Sequence, residues 1–133
     1  MIVSIGGTWC PNCMDESVFL ADWYKKNKNR GVEVVGIQYE VSTDPEYLQK
    51  TIQRFRSKTG IEYTQVIGGL ADKQVVVASL PSLNTFLSFP TTIFIDKKGE
   101  VVKIHTGFSG PATGVYYEAF VKEFNSVVDS ILK

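Results

Sequence analysis

The sequence predicts an α/β domain built on a mixed β-sheet, and two observations carry that prediction. Residues 2–6 and 32–39 are apolar, β-rich runs separated by a helical segment, and the chain ends in a hairpin followed by a long amphipathic helix. The first pattern is a βαβ unit, whose strands are parallel and joined by a right-handed crossover. The second adds antiparallel pairing, so the sheet is mixed.

The elements follow in order. Residues 2–6 end at Gly6-Gly7, which suits a buried strand and a tight turn. A helix begins at the next motif, with Cys10 as N-cap and Pro11 at the first helical position, where a missing N–H costs nothing. Asp15 and Glu16 fall in its early turns, on the favourable side of the macrodipole. Met14, Val18 and Ala21, with Leu20 and Tyr24, form its expected apolar stripe, and the cationic run 25–30 before Gly31 stops it. After the second strand, Ser42-Thr43-Asp44-Pro45-Glu46 starts a helix that buries Leu48, Ile52 and Phe55 and reaches Gly60. A short strand over 64–67 and a helix over about 72–80 follow. Residues 91–95 and 100–106 form the hairpin around an Asp96–Gly99 turn. In the last helix, Tyr117, Phe120, Val121, Phe124, Val127, Val128 and Ile131 keep helical spacing.

Composition narrows the function. The 133 residues suffice for one domain with a full core, hydrophobic and charged fractions of 44% and 21% are ordinary, and fourteen basic residues balance fourteen acidic ones. That gives no basis for binding nucleic acid or an anionic membrane. No apolar stretch nears the ~18 residues that span a bilayer. The chain opens inside a core strand with no signal-peptide pattern, so the sequence predicts one domain over residues 1–133, excised from a longer chain with a segment preceding it. Two cysteines two residues apart read as a reactive or metal-binding pair rather than a disulfide scaffold.

Thr8-Trp9-Cys10-Pro11-Asn12-Cys13 sits at a strand-to-helix junction, and Ser88-Phe89-Pro90-Thr91-Thr92-Ile93-Phe94-Ile95-Asp96 precedes the hairpin. Together these resemble the thioredoxin superfamily, and in wording and spacing its TlpA/ResA-like disulfide reductases. The resemblance covers nearly the whole chain. It implies a thioredoxin-like fold, a mixed β-sheet flanked by helices on both faces, with a helical insertion before the strand that a cis-proline opens. It further implies a thiol–disulfide oxidoreductase that reduces protein disulfides, is recharged by an upstream thiol donor, and works in the periplasm or another extracytoplasmic compartment. No cofactor beyond a redox-active Cys10–Cys13 disulfide is implied, and no metal. The chain departs from the family in lacking an N-terminal hairpin. It also carries Ser4 where thioredoxins place a buried aspartate, so a base for Cys13 must come from elsewhere.

Roles follow from chemistry. Cys10 at a helix N-terminus is the attacking thiolate, stabilised by the positive end of the helix and its free N–H groups, and Cys13 resolves the mixed disulfide. Pro11 and Asn12 tune the pair. The resemblance implies that Pro90 is cis and lets the Phe89 backbone meet an extended substrate, where the residues alone also allow a trans proline at a strand start; Trp9 offers apolar surface or simply packs. Glu40 closes the second strand on the side where sites gather, and is a candidate acceptor for the Cys13 proton or a solvated residue ahead of the next helix. His105 reads as structural, and residues 107–114 match no phosphate-binding pattern. The competing functions are a metal-binding or metal-delivery module and a redox-silent interaction domain. Structural zinc wants four ligands, which one His and two Cys do not supply. A peroxiredoxin-type threonine three residues before the cysteine is absent.

Overall fold

A computed structural model of the protein describes residues 1–79 and 89–133. The expected end of the third helix at Leu80, and Ser88 of the proline motif, lie outside the described residues.

Strand β1 (Ile2–Gly6) is buried along its whole length and sits in the middle of a five-stranded sheet. It pairs in parallel with β2 (Val34–Glu40) and antiparallel with β4 (Thr91–Ile95). Beyond β2 lies β3 (Thr64–Leu70), parallel to it, and beyond β4 lies β5 (Val101–Thr106), antiparallel, giving the order β3-β2-β1-β4-β5. This is the predicted mixed sheet.

The helices are α1 (Pro11–Asn27), α2 (Pro45–Thr59), α3 (Lys73–Ser79) and α4 (Val115–Ile131). Alternation along the strands assigns them to faces. Ile2 and its partners Val34 and Phe94 pack with Leu20 of α1, Phe55 of α2 and Phe124 of α4. Val3, Ile5 and Ile93 point the other way, with Tyr39 and with Val76 of α3. Helices thus cover both faces. Local chemistry sets their ends: Asp44 caps α2 by accepting the Tyr47 N–H at 3.1 Å, Pro45 takes its first turn, and Gly60 ends it at φ 77°.

Two sequence expectations are corrected. The strand expected over 64–67 is longer than expected, running to Leu70, and it forms a sheet edge. It does so through a bulge at Gly68, where a side chain would collide with the buried ring of Tyr39. The buried face of α1 is also different. Val18 is 47% exposed, and the face that meets the sheet carries Cys13, Glu16, Ser17, Leu20, Ala21 and Trp23. Hydropathy spacing favours Val18, but Glu16 and Ser17 have hydrogen-bond partners beneath the helix and so tolerate burial.

Phe124 is the hub of the larger core, with ring centroids 5.1–5.3 Å from Trp23, Phe19 and Phe94. Replacing Phe124 with Ala should cost about 3–5 kcal/mol of stability, read from urea unfolding. A loss under about 1 kcal/mol would contradict this description of the core.

Candidate active site

The chain leaves β1 through Gly7-Thr8-Trp9 and enters α1 at Cys10, whose extended backbone (φ −96°, ψ 116°) is that of an N-cap. Its sulfur takes the capping role: Cys10 Sγ accepts the Cys13 N–H at 3.3 Å. Pro11 occupies the first turn, and the Met14 N–H bonds the Cys10 carbonyl at 3.0 Å. Both cysteines are free thiols. Cys10 is 8% exposed and Cys13 3%, so both are buried, and Cys10 is the nearer to solvent. Pro11 and Asn12 are exposed.

The loop ahead of Cys10 is tied to the end of β2. Glu40, fully buried, accepts the Thr8 N–H at 2.8 Å and also the Thr8 hydroxyl. The Trp9 indole donates to the Tyr39 carbonyl at 2.8 Å. Position 7 must be glycine for this to happen, since a Cβ there would strike the Trp9 indole and lie 2.6 Å from the Tyr39 oxygen. Trp9 remains 43% exposed and stands edge-on to Phe89 at 5.5 Å between centroids. The Phe89–Pro90 peptide is cis, as expected, and β4 runs antiparallel to β1, so Pro90 lies at the cysteine end of the sheet. Cys10, Cys13, Trp9, Phe89, Pro90 and Glu40 therefore gather at the same end. Glu40 does so through Thr8, and its described hydrogen bonds do not include Cys13.

The residue that sequence reasoning missed is Glu16. It lies on the buried face of α1, one turn after Cys13, and is 2% exposed. Ser4 donates to its carboxylate at 2.7 Å, and Thr92 does so at 3.3 Å. Ser4 and Thr92 are cross-strand partners on β1 and β4, so two adjacent strands present hydroxyls to one carboxylate. Burial raises the Glu16 pKa to about 7, against the opposing pull of the Ser4 and Thr92 hydrogen bonds. Burial also pushes the Cys13 thiol well above its usual value. The Cys10 hydrogen bond and the charges of Cys10 and Glu16 add to that rise, and a Gly7 backbone hydrogen bond opposes it. Gly6 allows the close fit, since a Cβ there would lie 3.2 Å from Cys13 Sγ. Gln38 Oε1 borders the same space and has no hydrogen-bond partner among the described residues. The sequence did carry a signal for Glu16: i,i+3 spacing places it on the same face as Cys13.

The remaining candidates have no hydrogen bond to either cysteine among the described residues, although the Gly107 N–H that opens the loop 107–114 donates to the Pro90 carbonyl at 2.7 Å. His105 packs on Phe120 with centroids 5.4 Å apart, and burial lowers its pKa. In the loop 107–114, Phe108 is buried against Phe19 and Phe120. Among the described residues, no three His, Cys, Asp or Glu side chains come together as metal ligands.

Comparison with known proteins agrees with this geometry. The family model described as Redoxin matches residues 1–119. The chain is 33% identical over 107 residues to the thiol-disulfide oxidoreductase ResA of Halalkalibacterium halodurans, covering 80% of this chain and 53% of that protein. It is 31% identical to ResA of Bacillus subtilis, covering 80% and 52%. The chain thus spans about half the length of these curated relatives. A thioredoxin-family thiol:disulfide interchange protein from Chlorobium tepidum TLS superposes with a TM-score of 0.69 at 22% identity, over 99% of this chain and 79% of that one.

The buried Glu16 has a consequence for stability. Its folded pKa of about 7 lies above the unfolded value of about 4.3, so its contribution is fully present below about pH 4.3 and lost as pH rises through 7. Stability of the dithiol form should fall by roughly 3 kcal/mol across that window, and Glu16→Gln should remove most of the fall. Urea midpoints measured at pH 4.5 and pH 8 for both proteins check this; an equal pH slope in both would contradict it.

Proposed function

The chain belongs to the redoxin family, and on that premise we propose that it is a thiol–disulfide oxidoreductase that reduces protein disulfides. The observation that carries the reading is the N-cap itself. A cysteine sulfur receives a backbone N–H at the positive end of a helix, three residues before a second, deeper cysteine, and this is the arrangement that an attacking and a resolving thiol require.

Cys10 thiolate attacks one sulfur of the substrate disulfide, and that bond's electron pair leaves on the other sulfur, which takes a proton. The product is a mixed disulfide between Cys10 and the substrate. Cys13 then loses its proton, and its sulfur attacks Cys10 Sγ and expels the second substrate thiol. The substrate gains two electrons, and a Cys10–Cys13 disulfide remains for an upstream thiol donor to reduce.

The second step needs a base, because the Cys13 thiol is held well above its usual pKa. Glu16 is the group we assign to it, in place of Glu40. It is on the same helix face one turn away, its charge acts on Cys13, and a pKa of about 7 lets it exchange protons at neutral pH. Glu40 instead holds Thr8, and with it the approach to Cys10. Trp9 and Phe89 form the apolar side of the substrate surface next to the buried Pro90, while Pro11 and Asn12, exposed in the first turn, border the attacking sulfur. The resemblance to TlpA/ResA-like reductases supports an extracytoplasmic setting. No described helix is long and apolar enough to cross a membrane.

Cys10→Ser should abolish exchange, whereas Cys13→Ser should accumulate a mixed disulfide with substrate, detected by mass. Glu16→Gln should slow resolution about 10²-fold, within the range for losing a positioned base, and flatten its rise with pH near 7, while Cys10 alkylation changes little. Mild and equal losses in the two cysteine variants would overturn the assigned order. An unaltered resolution rate would remove Glu16 from it.

A further inference from the structure

A groove of about 170 Å³ lies between α1 and α2, lined by Thr8, Met14, Thr51, Arg54, Phe55 and Lys58. Resting on the disulfide-exchange reading, we propose that this groove binds an acidic stretch of the substrate polypeptide next to the disulfide under attack.

Position comes first. Thr8 lies two residues before Cys10, and Met14 lies one turn after it with its N–H on the Cys10 carbonyl. The groove is therefore lined by residues that flank Cys10 in the chain on both sides.

Charge comes second. Helix α2 carries four cations, Lys50, Arg54, Arg56 and Lys58, against one acid, Glu46, although the whole chain has no net charge. Lys50 is already paired with Glu46 at 3.2 Å. Arg54 and Lys58, at i,i+4 on the exposed rim of the groove, have no ion pair or hydrogen bond among the described residues. The surface cations Lys26 and Arg30, by contrast, each hold an acid, Asp22 at 2.9 Å and Asp129 at 2.7 Å. Glu40, the acid tied to Thr8, is buried with its oxygens on the Thr8 N–H and hydroxyl and does not line the groove. Cations in a last turn also suit the helix dipole, but Lys58 and Arg56 meet that need, and Arg54 lies further in.

Shape comes third. Phe55, buried, and Met14, half-buried, give the groove an apolar floor beneath two cations. Such a site takes the methylene stem of a glutamate or aspartate, and the arginine fork donates to its carboxylate.

The test uses the reduced protein and disulfide-linked peptides that differ only in two residues on one side of the cystine: Glu, Gln or Lys, placed before it or after it. With Glu on the favoured side, reduction should be about fivefold faster than with Gln at low salt, and Lys slower than either. The preference should fade as salt approaches 1 M. In Arg54→Glu/Lys58→Glu it should reverse. A Glu-to-Gln ratio near one in the wild type, a ratio that survives the charge reversal, or an equal gain on both sides of the cystine would overturn the groove. Hydroxyethyl disulfide separates this failure from that of the underlying reading. If the neutral disulfide is reduced while peptides show no charge preference, only the groove falls; if neither is reduced, the exchange reading falls with it.

Discussion

The contact on which the rest depends is the burial of the Glu16 carboxylate between Ser4 and Thr92. A carboxylate is costly to bury, and two hydroxyls from neighbouring strands make it tolerable only when α1 lies in one register over β1 and β4. That register puts Cys13 against Gly6 and sets Cys10 at the helix N-terminus. The apolar packing of Leu20, Phe19 and Trp23 supplies most of the energy of the interface, but apolar contacts alone tolerate sliding. The polar contact specifies the position.

A second set of hydrogen bonds fixes the approach to the sulfur. Thr8 on Glu40 and Trp9 on the Tyr39 carbonyl bind the loop between β1 and α1 to the end of β2. Parallel strands β1 and β2 end on the same side, so this bracing is a direct product of the βαβ crossover. The two cysteines thus stand at a junction held from below by β1 and β4 and from the side by β2. Rigid placement of this kind suits a reaction in which two sulfurs must meet a third in line.

Much of this was legible in the sequence. The strand–helix–strand opening, the Pro11 and Asp44–Pro45 helix starts and the apolar spacing of α4 all appear where local chemistry predicts, and the cis peptide at Pro90 where the family resemblance implies it. What escaped was decided by tertiary partners. Glu16 looks like a solvated acid near a helix start until Ser4 and Thr92 are seen beneath it, because a single sequence does not show that two distant hydroxyls converge. Val18 looks apolar and buried until the helix is rotated to satisfy that same carboxylate. Glu40 was found at the right end of the right strand, yet the partner it chose, Thr8, depends on the path of a three-residue loop. The extension of β3 to Leu70 rests on a glycine bulge beneath Tyr39, which neither periodicity nor propensity reveals.

On this reading Cys10 and Cys13 form a reversible intramolecular disulfide whose dithiol state donates electrons to protein substrates. Equilibrating the protein in thiol redox buffers at pH 7, with the free thiols counted by alkylation and mass, tests it most directly. The account predicts a two-electron transition with a potential near or below about −250 mV, in the range of thioredoxin-type donors. A potential nearer −120 mV would assign the pair to oxidation instead, and the absence of any intramolecular disulfide at every poise would contradict the redox function altogether.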